Sequence, residues 1–95
     1  MQNYIGTARL DGTVQSVAYT GTAGTITNGM GLGIARALIS VTTDAYVLQG
    51  KSPTATTSST WLPAGTLLYV TVNPGEKFSA IQSSTGGTLT VTECA

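Results

Sequence analysis

The stretch Gly86-Gly87-Thr88-Leu89-Thr90-Val91-Thr92-Glu93-Cys94 decides the fold class. Its threonines alternate with Leu89 and Val91, so the apolar side chains share one face of an extended strand and the hydroxyls share the other. The glycine pair that precedes the alternation predicts a turn. This stretch therefore predicts a short β-strand that packs one face on an apolar core.

The rest of the chain repeats the same pattern of short segments between turns. Threonine, valine, isoleucine and tyrosine are frequent and suit strands, while 12 glycines supply turns. We expect an all-β, single-domain protein over residues 1–95: a β-sandwich or jelly roll of seven to eight short antiparallel strands. The predicted strands are residues 2–10, 13–20, 34–42, 45–49, 66–72, 76–83 and 88–94, with a short one at 25–27.

Three turn signals predict which strands pair. Asp11-Gly12 is a two-residue turn that joins residues 2–10 and 13–20. Asp44 opens a turn between residues 34–42 and 45–49, which predicts a hairpin of two core strands.

The third signal, Asn73-Pro74-Gly75, matches a type II turn, with proline second and glycine third. We expect residues 76–83 to pair with residues 66–72 through it.

Two segments are predicted as irregular. Residues 51–60 are rich in serine and threonine, contain Pro53 and have no apolar periodicity, so they predict an exposed loop. Residues 21–33 hold five glycines, and Gly29-Met30-Gly31-Leu32-Gly33 matches part of a dinucleotide-binding fingerprint. That motif requires a βαβ unit and a helix start, which a 95-residue β chain has no room for. A close-packed loop is the preferred interpretation.

The chain is poor in groups that perform chemistry. It has no histidine and one cysteine, which removes Ser/His/Asp and Cys/His triads and the usual zinc sites. We expect no catalytic residue, no metal and no cofactor. The four carboxylates, Asp11, Asp44, Glu76 and Glu93, are widely separated in sequence, and a glycosidase pair among them stays open without a supporting motif.

Charge is scarce as well. Charged residues make up 8% of the chain and the net charge is zero, whereas a monomer surface usually carries about 25–35%. Uncharged strand edges invite pairing with other chains, so we expect a subunit of an assembly. The sequence has no basic cluster that could bind nucleic acid and no apolar run long enough to cross a membrane. We therefore expect neither nucleic acid nor a membrane as a partner.

Candidate interface residues follow from their type and position. Trp61 is the one tryptophan, and a place in the core or a subunit interface is preferred over sugar stacking. The tyrosines are predicted to direct their hydroxyls outward. Arg9 and Arg36 are either solvated strand charges or intersubunit contacts, and Arg36 is the preferred one. The candidate subunit or capsid interface comprises Tyr4, Arg9, Arg36, Trp61, Leu62 and Tyr69.

The second half of the chain carries a family resemblance. It lies in Ala45-Tyr46-Val47, residues 52–57, Leu62-Pro63-Ala64-Gly65, residues 72–77 with 79–82, and residues 86–93. These turn-and-strand patterns resemble small virion proteins of tailed bacteriophages, most of all capsid cement, or decoration, proteins. The resemblance implies a compact β-fold, commonly a homotrimer, that binds the outside of the capsid where major capsid subunits meet and reinforces the expanded shell.

Three functions compete at this stage. A cement protein would be made in the bacterial host cytoplasm and end on the capsid surface of the virion, bound to the major capsid protein and to itself. Residues 2–9 or the 51–60 loop would reach its neighbours. The alternatives are a phage tail or fibre component that binds host glycans, and a small enzyme.

Overall fold

The computed structural model describes residues 14–31, 34 and 36–94, which form eight β-strands and no helix. The predicted strand 2–10, the Asp11-Gly12 turn, Tyr4 and Arg9 lie outside the described residues. The strands are β1 Val14–Tyr19, β2 Gly24–Thr25, β3 Arg36–Val41, β4 Ala45–Gly50, β5 Thr60–Leu62, β6 Leu67–Thr71, β7 Lys77–Gln82 and β8 Gly87–Cys94.

The strands form two four-stranded antiparallel sheets. Sheet A has the order β1-β8-β3-β6, and sheet B has the order β2-β7-β4-β5. The all-β sandwich expected from the sequence is therefore confirmed. The alternation of threonine with Leu89 and Val91 falls in β8, a central strand of sheet A, where both apolar residues are fully buried.

The strand pairs are nested: strands near the two ends of the described chain pair with each other, and strands in its middle pair with each other. β1 pairs with β8, β2 with β7, β3 with β6, and β4 with β5. This is one long antiparallel hairpin whose innermost pair is β4 and β5. Two further pairings, β3 with β8 and β4 with β7, roll that hairpin into the two sheets of a jelly roll.

Because of this nested pairing, two of the predicted hairpins are wrong. β3 and β4 lie in different sheets, so residues 34–42 and 45–49 do not pair. β6 and β7 also lie in different sheets, so residues 76–83 do not pair with 66–72. The turns themselves form: Glu76 N donates to Asn73 O at 3.2 Å, and Gly75 has a φ of 86°. Both turns carry the chain from one sheet to the opposite sheet, and the apolar faces of the two sheets then pack against each other.

The core lies between the sheets and contains side chains from both. Ile39, Leu89 and Val91 extend from sheet A, while Val47 and Phe78 extend from sheet B. Each of these residues is buried because strand side chains alternate between the inner and outer face.

Tyr19 joins the turns at one end of the sandwich, and here the predicted outward hydroxyl is wrong. The side chain is 1% exposed, and its hydroxyl donates to Thr43 O at 2.8 Å. Thr43 N donates back to the same hydroxyl at 3.2 Å, and the Thr43 hydroxyl donates to Thr85 O at 2.9 Å. A buried hydroxyl needs such partners, so Tyr19 ties β1 to the turns before β4 and β8.

The segment between β4 and β5 is less exposed than predicted. Pro53 and Ala55 are buried, because the segment folds over the outer face of sheet B. Ala55 N donates to the hydroxyl of Ser79 at 2.9 Å, and Thr25 donates to Pro53 O at 3.3 Å. Thr60, predicted as the end of the loop, is the first residue of β5.

The glycine-rich stretch packs against the Asn73-Pro74-Gly75 turn. Met30 N donates to Glu76 O, and Gly75 N donates to Met30 O, both at 2.8 Å. A Cβ on Gly29 would come within 2.7 Å of Gly75 O, so this contact needs glycine. Residues 29–31 thus form the expected close-packed loop.

Candidate assembly surface

β5 and β6 are edge strands that lie on the same side of the sandwich. β5 pairs only with β4 and β6 only with β3 among the described strands. The two sheets separate there and leave a cleft of about 290 Å³. Its lining is mostly apolar and comprises Ile39, Val47, Leu48, Gln49, Thr60, Leu62, Leu68, Val70 and Phe78.

Exposed apolar side chains lie in this cleft and on the two strands beside it: Leu48 and Leu68 line the cleft, and Trp61 and Leu67 are on β5 and β6. Leu48, Trp61, Leu67 and Leu68 are 40%, 54%, 67% and 38% exposed, and they are four of the five large apolar residues exposed in the described chain. We call this surface, formed by Leu48, Thr60, Trp61, Leu67 and Leu68 with the cleft between them, the open flank. Grouped exposure of this kind marks an interaction site, whereas single exposed apolar residues do not.

The open flank also lacks charged residues that would block edge pairing. Residues 52–75 contain no Asp, Glu, Lys or Arg, and both edge strands fall within that range. Natural sheet edges are commonly protected by lysine, proline or inward charges. β6, with the sequence Leu67-Leu68-Tyr69-Val70-Thr71, has none of these.

Register divides the side chains of β6 between the cleft and the outer face of sheet A. Leu68 lies opposite Ile39 and faces inward, where it lines the cleft. Leu67 and Tyr69 face outward, and Tyr69 is half-buried opposite Leu38. β6 therefore presents an apolar side chain on each face along one open edge.

Trp61 lies on β5 directly opposite Tyr46 of β4. Tyr46 in turn lies opposite Ile81 of β7, so the three side chains form a row on the outer face of sheet B. The exposure of Trp61 rules out a place in this chain's own core, which was one of the two interpretations preferred from the sequence.

The remaining candidates divide by position. Leu62 is 4% exposed and belongs to the core, because the alternation of β5 directs it inward beside Val47 and Phe78. It is no longer a surface candidate. Arg36 is half-buried at the start of β3, between Thr71 and Cys94 of the neighbouring strands. Trp61 and Tyr69 are thus the predicted residues that border the open flank.

Three members of the open flank were not predicted from the sequence as surface residues: Leu48, Leu67 and Leu68. A signal for them was present, since adjacent leucines at 67 and 68 in a strand cannot both face the core. The uncharged run 52–75 was a second signal.

The described carboxylates hold main-chain amides. Asp44 accepts from Ala64 N at 2.8 Å, Glu76 accepts from Asn73 N at 2.8 Å, and Glu93 accepts from Gly31 N at 3.1 Å. Within the described part of the chain, no three His, Cys, Asp or Glu residues group closely enough to hold a metal ion. These three carboxylates stabilise turns and loops.

Glu76 accepts a second hydrogen bond besides the one from Asn73 N. Its pKa is lowered from the ordinary 4.5, first by the hydrogen bond from Asn73 N and then by the Gln49 amide, which donates to it at 2.9 Å. The same Gln49 amide nitrogen donates to Thr71 O at 2.7 Å. Glu76 therefore supports the end of β6 through Gln49.

No protein-family model, curated protein or solved structure matches the chain. Over the residues that the structure describes, no helix is long and apolar enough to cross a membrane.

Proposed function

We propose that this chain is a virion structural protein: a capsid cement, or decoration, protein that binds the outer surface of a phage head as a homotrimer and stabilises it. The observation that carries the proposal is the open flank. Leu48 and Leu68 line a cleft between β5 and β6, and Trp61 and Leu67 are exposed on these two strands. Among the described strands β5 and β6 each pair on one side only, and both lie in a stretch of sequence without charge.

The physical argument concerns what such a surface does in water. Apolar area gains about 25 cal/mol per Å² when it is covered, and uncharged edges add main-chain hydrogen bonds. Each contact is modest, but a symmetric assembly repeats it many times and reaches high avidity. A reinforcing subunit needs this combination, whereas an enzyme needs convergent polar groups.

The nature of the partner rests on the sequence resemblance to phage decoration proteins. The jelly roll is compatible with it, because viral capsid domains use this architecture, but lectin domains use it too. Fold alone does not decide between them. In this proposal the major capsid protein and a second copy of the chain are the partners, the virion surface is the final location, and the host cytoplasm is the site of synthesis.

The test is reconstitution on phage heads that lack the protein. Purified chain should sediment with expanded heads, and the decorated heads should resist heat and osmotic shock better than bare heads. Trp61→Ala should weaken binding to the heads, while Thr22→Ala, at an exposed position between β1 and β2, serves as the matched control. Heads that neither bind the chain nor gain resistance contradict the proposal.

A glycan-binding tail or fibre component is the second candidate, and the Trp61 and Tyr46 pair favours it. Two aromatic side chains in register on an outer sheet face, one of them 54% exposed, form a surface on which a sugar ring could stack. Titration of host surface polysaccharide into ¹⁵N-labelled protein tests this function. Shifts at the Trp61 indole together with shifts at main-chain amides of β4 and β5, the latter lost in Trp61→Ala, would support it, and no shifts in the wild type would eliminate it.

A further inference from the structure

We infer that residues 2–10 of a second copy of this chain occupy the open flank, where they add a strand to the β6 edge and place Tyr4 and Leu10 in the cleft. The inference rests on the self-association in the proposed function and not on binding to heads. It specifies which part of one subunit holds the next.

The edge and the cleft together define what fits the flank. Among the described strands β6 pairs only with β3, so main-chain groups of alternate residues face away from the sheet, and Leu68 on the same strand lines the cleft and is 38% exposed. An added strand would satisfy the main-chain groups, and alternate side chains of that strand would fill the cleft. The occupant must therefore be extended, uncharged on one face, and apolar at alternate positions.

Residues 2–10 match that description in sequence. If they are extended, Tyr4, Ala8 and Leu10 share one face, and Arg9 lies on the other. Tyr4 and Leu10 provide the bulk that a cleft of about 290 Å³ can accept.

Chain length assigns this segment to a second copy. Residues 2–10 join the described fold at Val14 on β1, and β1 and β6 are the opposite edges of sheet A. A strand outside β6 lies four strand spacings from β1, about 19 Å. Leu10 and Val14 are four residues apart, and four residues span at most about 14 Å. Leu10 therefore cannot reach the edge of its own β6 when the whole segment is paired there, but it can reach a neighbour's.

The chain's own β1 edge is the competing place for residues 2–10, because the Asp11-Gly12 turn predicts a hairpin with residues 13–20. On that side Gln15 already bridges the sandwich: its amide donates to Asn28 O at 2.9 Å and accepts from Asn28 N at 3.0 Å. At the open flank, Leu48 and Leu68 remain partly exposed around the cleft. The apolar cleft at the open flank is the feature that favours this place for Tyr4 and Leu10.

Cysteine cross-linking of the full chain tests the inference. Thr7→Cys with Tyr69→Cys places thiols near the middle of the segment and of β6, so a short bismaleimide can join them in either strand direction. Thr7→Cys with Ser16→Cys is the matched control for the β1 edge. The native Cys94 is buried, so it should not react in the folded protein.

We expect covalent species of two and three chains from the first pair and no cross-link from the control pair. A bridge within a single chain in either variant, any cross-link in the control pair, or no cross-link in the first pair overturns the inference. Single-cysteine variants identify products that arise from Cys94 or from collision.

A second measurement probes the side chains that fill the cleft. Tyr4→Ser combined with Leu10→Ser should raise the dissociation constant of the oligomer at least tenfold in sedimentation equilibrium, while Thr7→Ser on the opposite face leaves it unchanged. An unchanged constant in the double variant overturns the inference. Cross-linked oligomers that fail to bind heads contradict the proposed function alone, and a monomer that binds heads overturns this inference alone.

Discussion

Gly29 lies where the glycine-rich stretch touches the turn before β7, and its missing side chain permits the contact. A Cβ there would lie 2.7 to 2.8 Å from the backbone of Gly75. Backbone atoms cannot rotate away as a side chain can, so we expect Gly29→Ala to lower the free energy of unfolding by about 1–3 kcal/mol. Chemical denaturation measures it.

Gly50→Ala is the matched control for Gly29→Ala. Gly50 ends β4, and a Cβ there would have nothing within 4 Å. Its free energy of unfolding should stay the same or rise by up to about 1 kcal/mol, because alanine restricts the unfolded chain. Equal destabilisation by both substitutions would contradict the packing argument.

Glu76 makes stability depend on acid pH. Its pKa is lower in the folded protein than the ordinary 4.5, because Asn73 N and the Gln49 amide hydrogen-bond to the carboxylate. The stabilisation is therefore complete above pH 4.5 and is lost as the pH falls through the folded-state pKa. Glu76→Gln should be less stable than wild type at neutral pH, and the difference should shrink in denaturation curves at lower pH. A difference that does not vary with pH would refute this role.

For single residues, the sequence predicted side-chain orientation correctly where a pattern repeats along a strand and incorrectly where one long-range contact determines it. The alternation of β8 placed Leu89 and Val91 in the core correctly. The prediction that the Tyr19 hydroxyl points outward was wrong, because the sequence does not indicate that Thr43 and Thr85 lie near it. Such partners are far apart in the chain and meet only through the fold.

At the scale of elements, β6 is the strand whose exposed edge matters most. Leu67→Lys puts a charge on that edge at a residue that is 67% exposed, so the free energy of unfolding should change by less than about 0.5 kcal/mol. Self-association should be lost, because a lysine on an edge strand disfavours pairing with a second chain. Sedimentation velocity measures the oligomeric state.

Val14→Lys is the control for Leu67→Lys. Val14 is 58% exposed on β1, the other edge strand of sheet A among the described strands, and it is apolar like Leu67. We expect its oligomer to persist. Loss of the oligomer in Val14→Lys, or its persistence in Leu67→Lys, would place the interface elsewhere.

The positions of the described strands were predictable except for β5 at Thr60–Leu62, which was not predicted, but most of the strands' partners were not predictable. Turn residues and alternation placed the other strands close to the observed ranges, including β8 at Gly87–Cys94. Pairing was predicted from the tendency of consecutive strands to lie side by side. Here, of the seven connections between described strands, only that from β4 to β5 stays in one sheet. A turn signal specifies a change of direction and does not specify the sheet that receives the next strand.

At the scale of the whole molecule, the nested pairing predicts an order of folding. β4 and β5 are the innermost pair and enclose only residues 51–59, so they close the shortest loop. Nine extra Gly and Ser residues between Thr57 and Ser58 would double that loop, at a cost of about 0.6 kcal/mol. We expect folding to slow about threefold with the unfolding rate unchanged, as measured by stopped-flow circular dichroism.

The same insertion between Ser83 and Ser84 is the control. It lengthens the turn before β8, which pairs with β1 and closes the longest loop of the nest. We expect it mainly to raise the unfolding rate, because β8 joins after the barrier. The opposite assignment of the two rates would mean that the outer pair forms first.

The uncharged run 52–75 affects the salt concentrations and temperatures at which an assembly through the open flank stays intact. Contacts between charges weaken as ionic strength rises, whereas contacts between apolar surfaces do not, and apolar contacts weaken instead on cooling. Association through the open flank should therefore hold from dilute to concentrated salt and loosen in the cold, which sedimentation in a salt and temperature series can measure. Such an assembly would withstand abrupt changes in the salinity of its medium and would have its weak point near freezing.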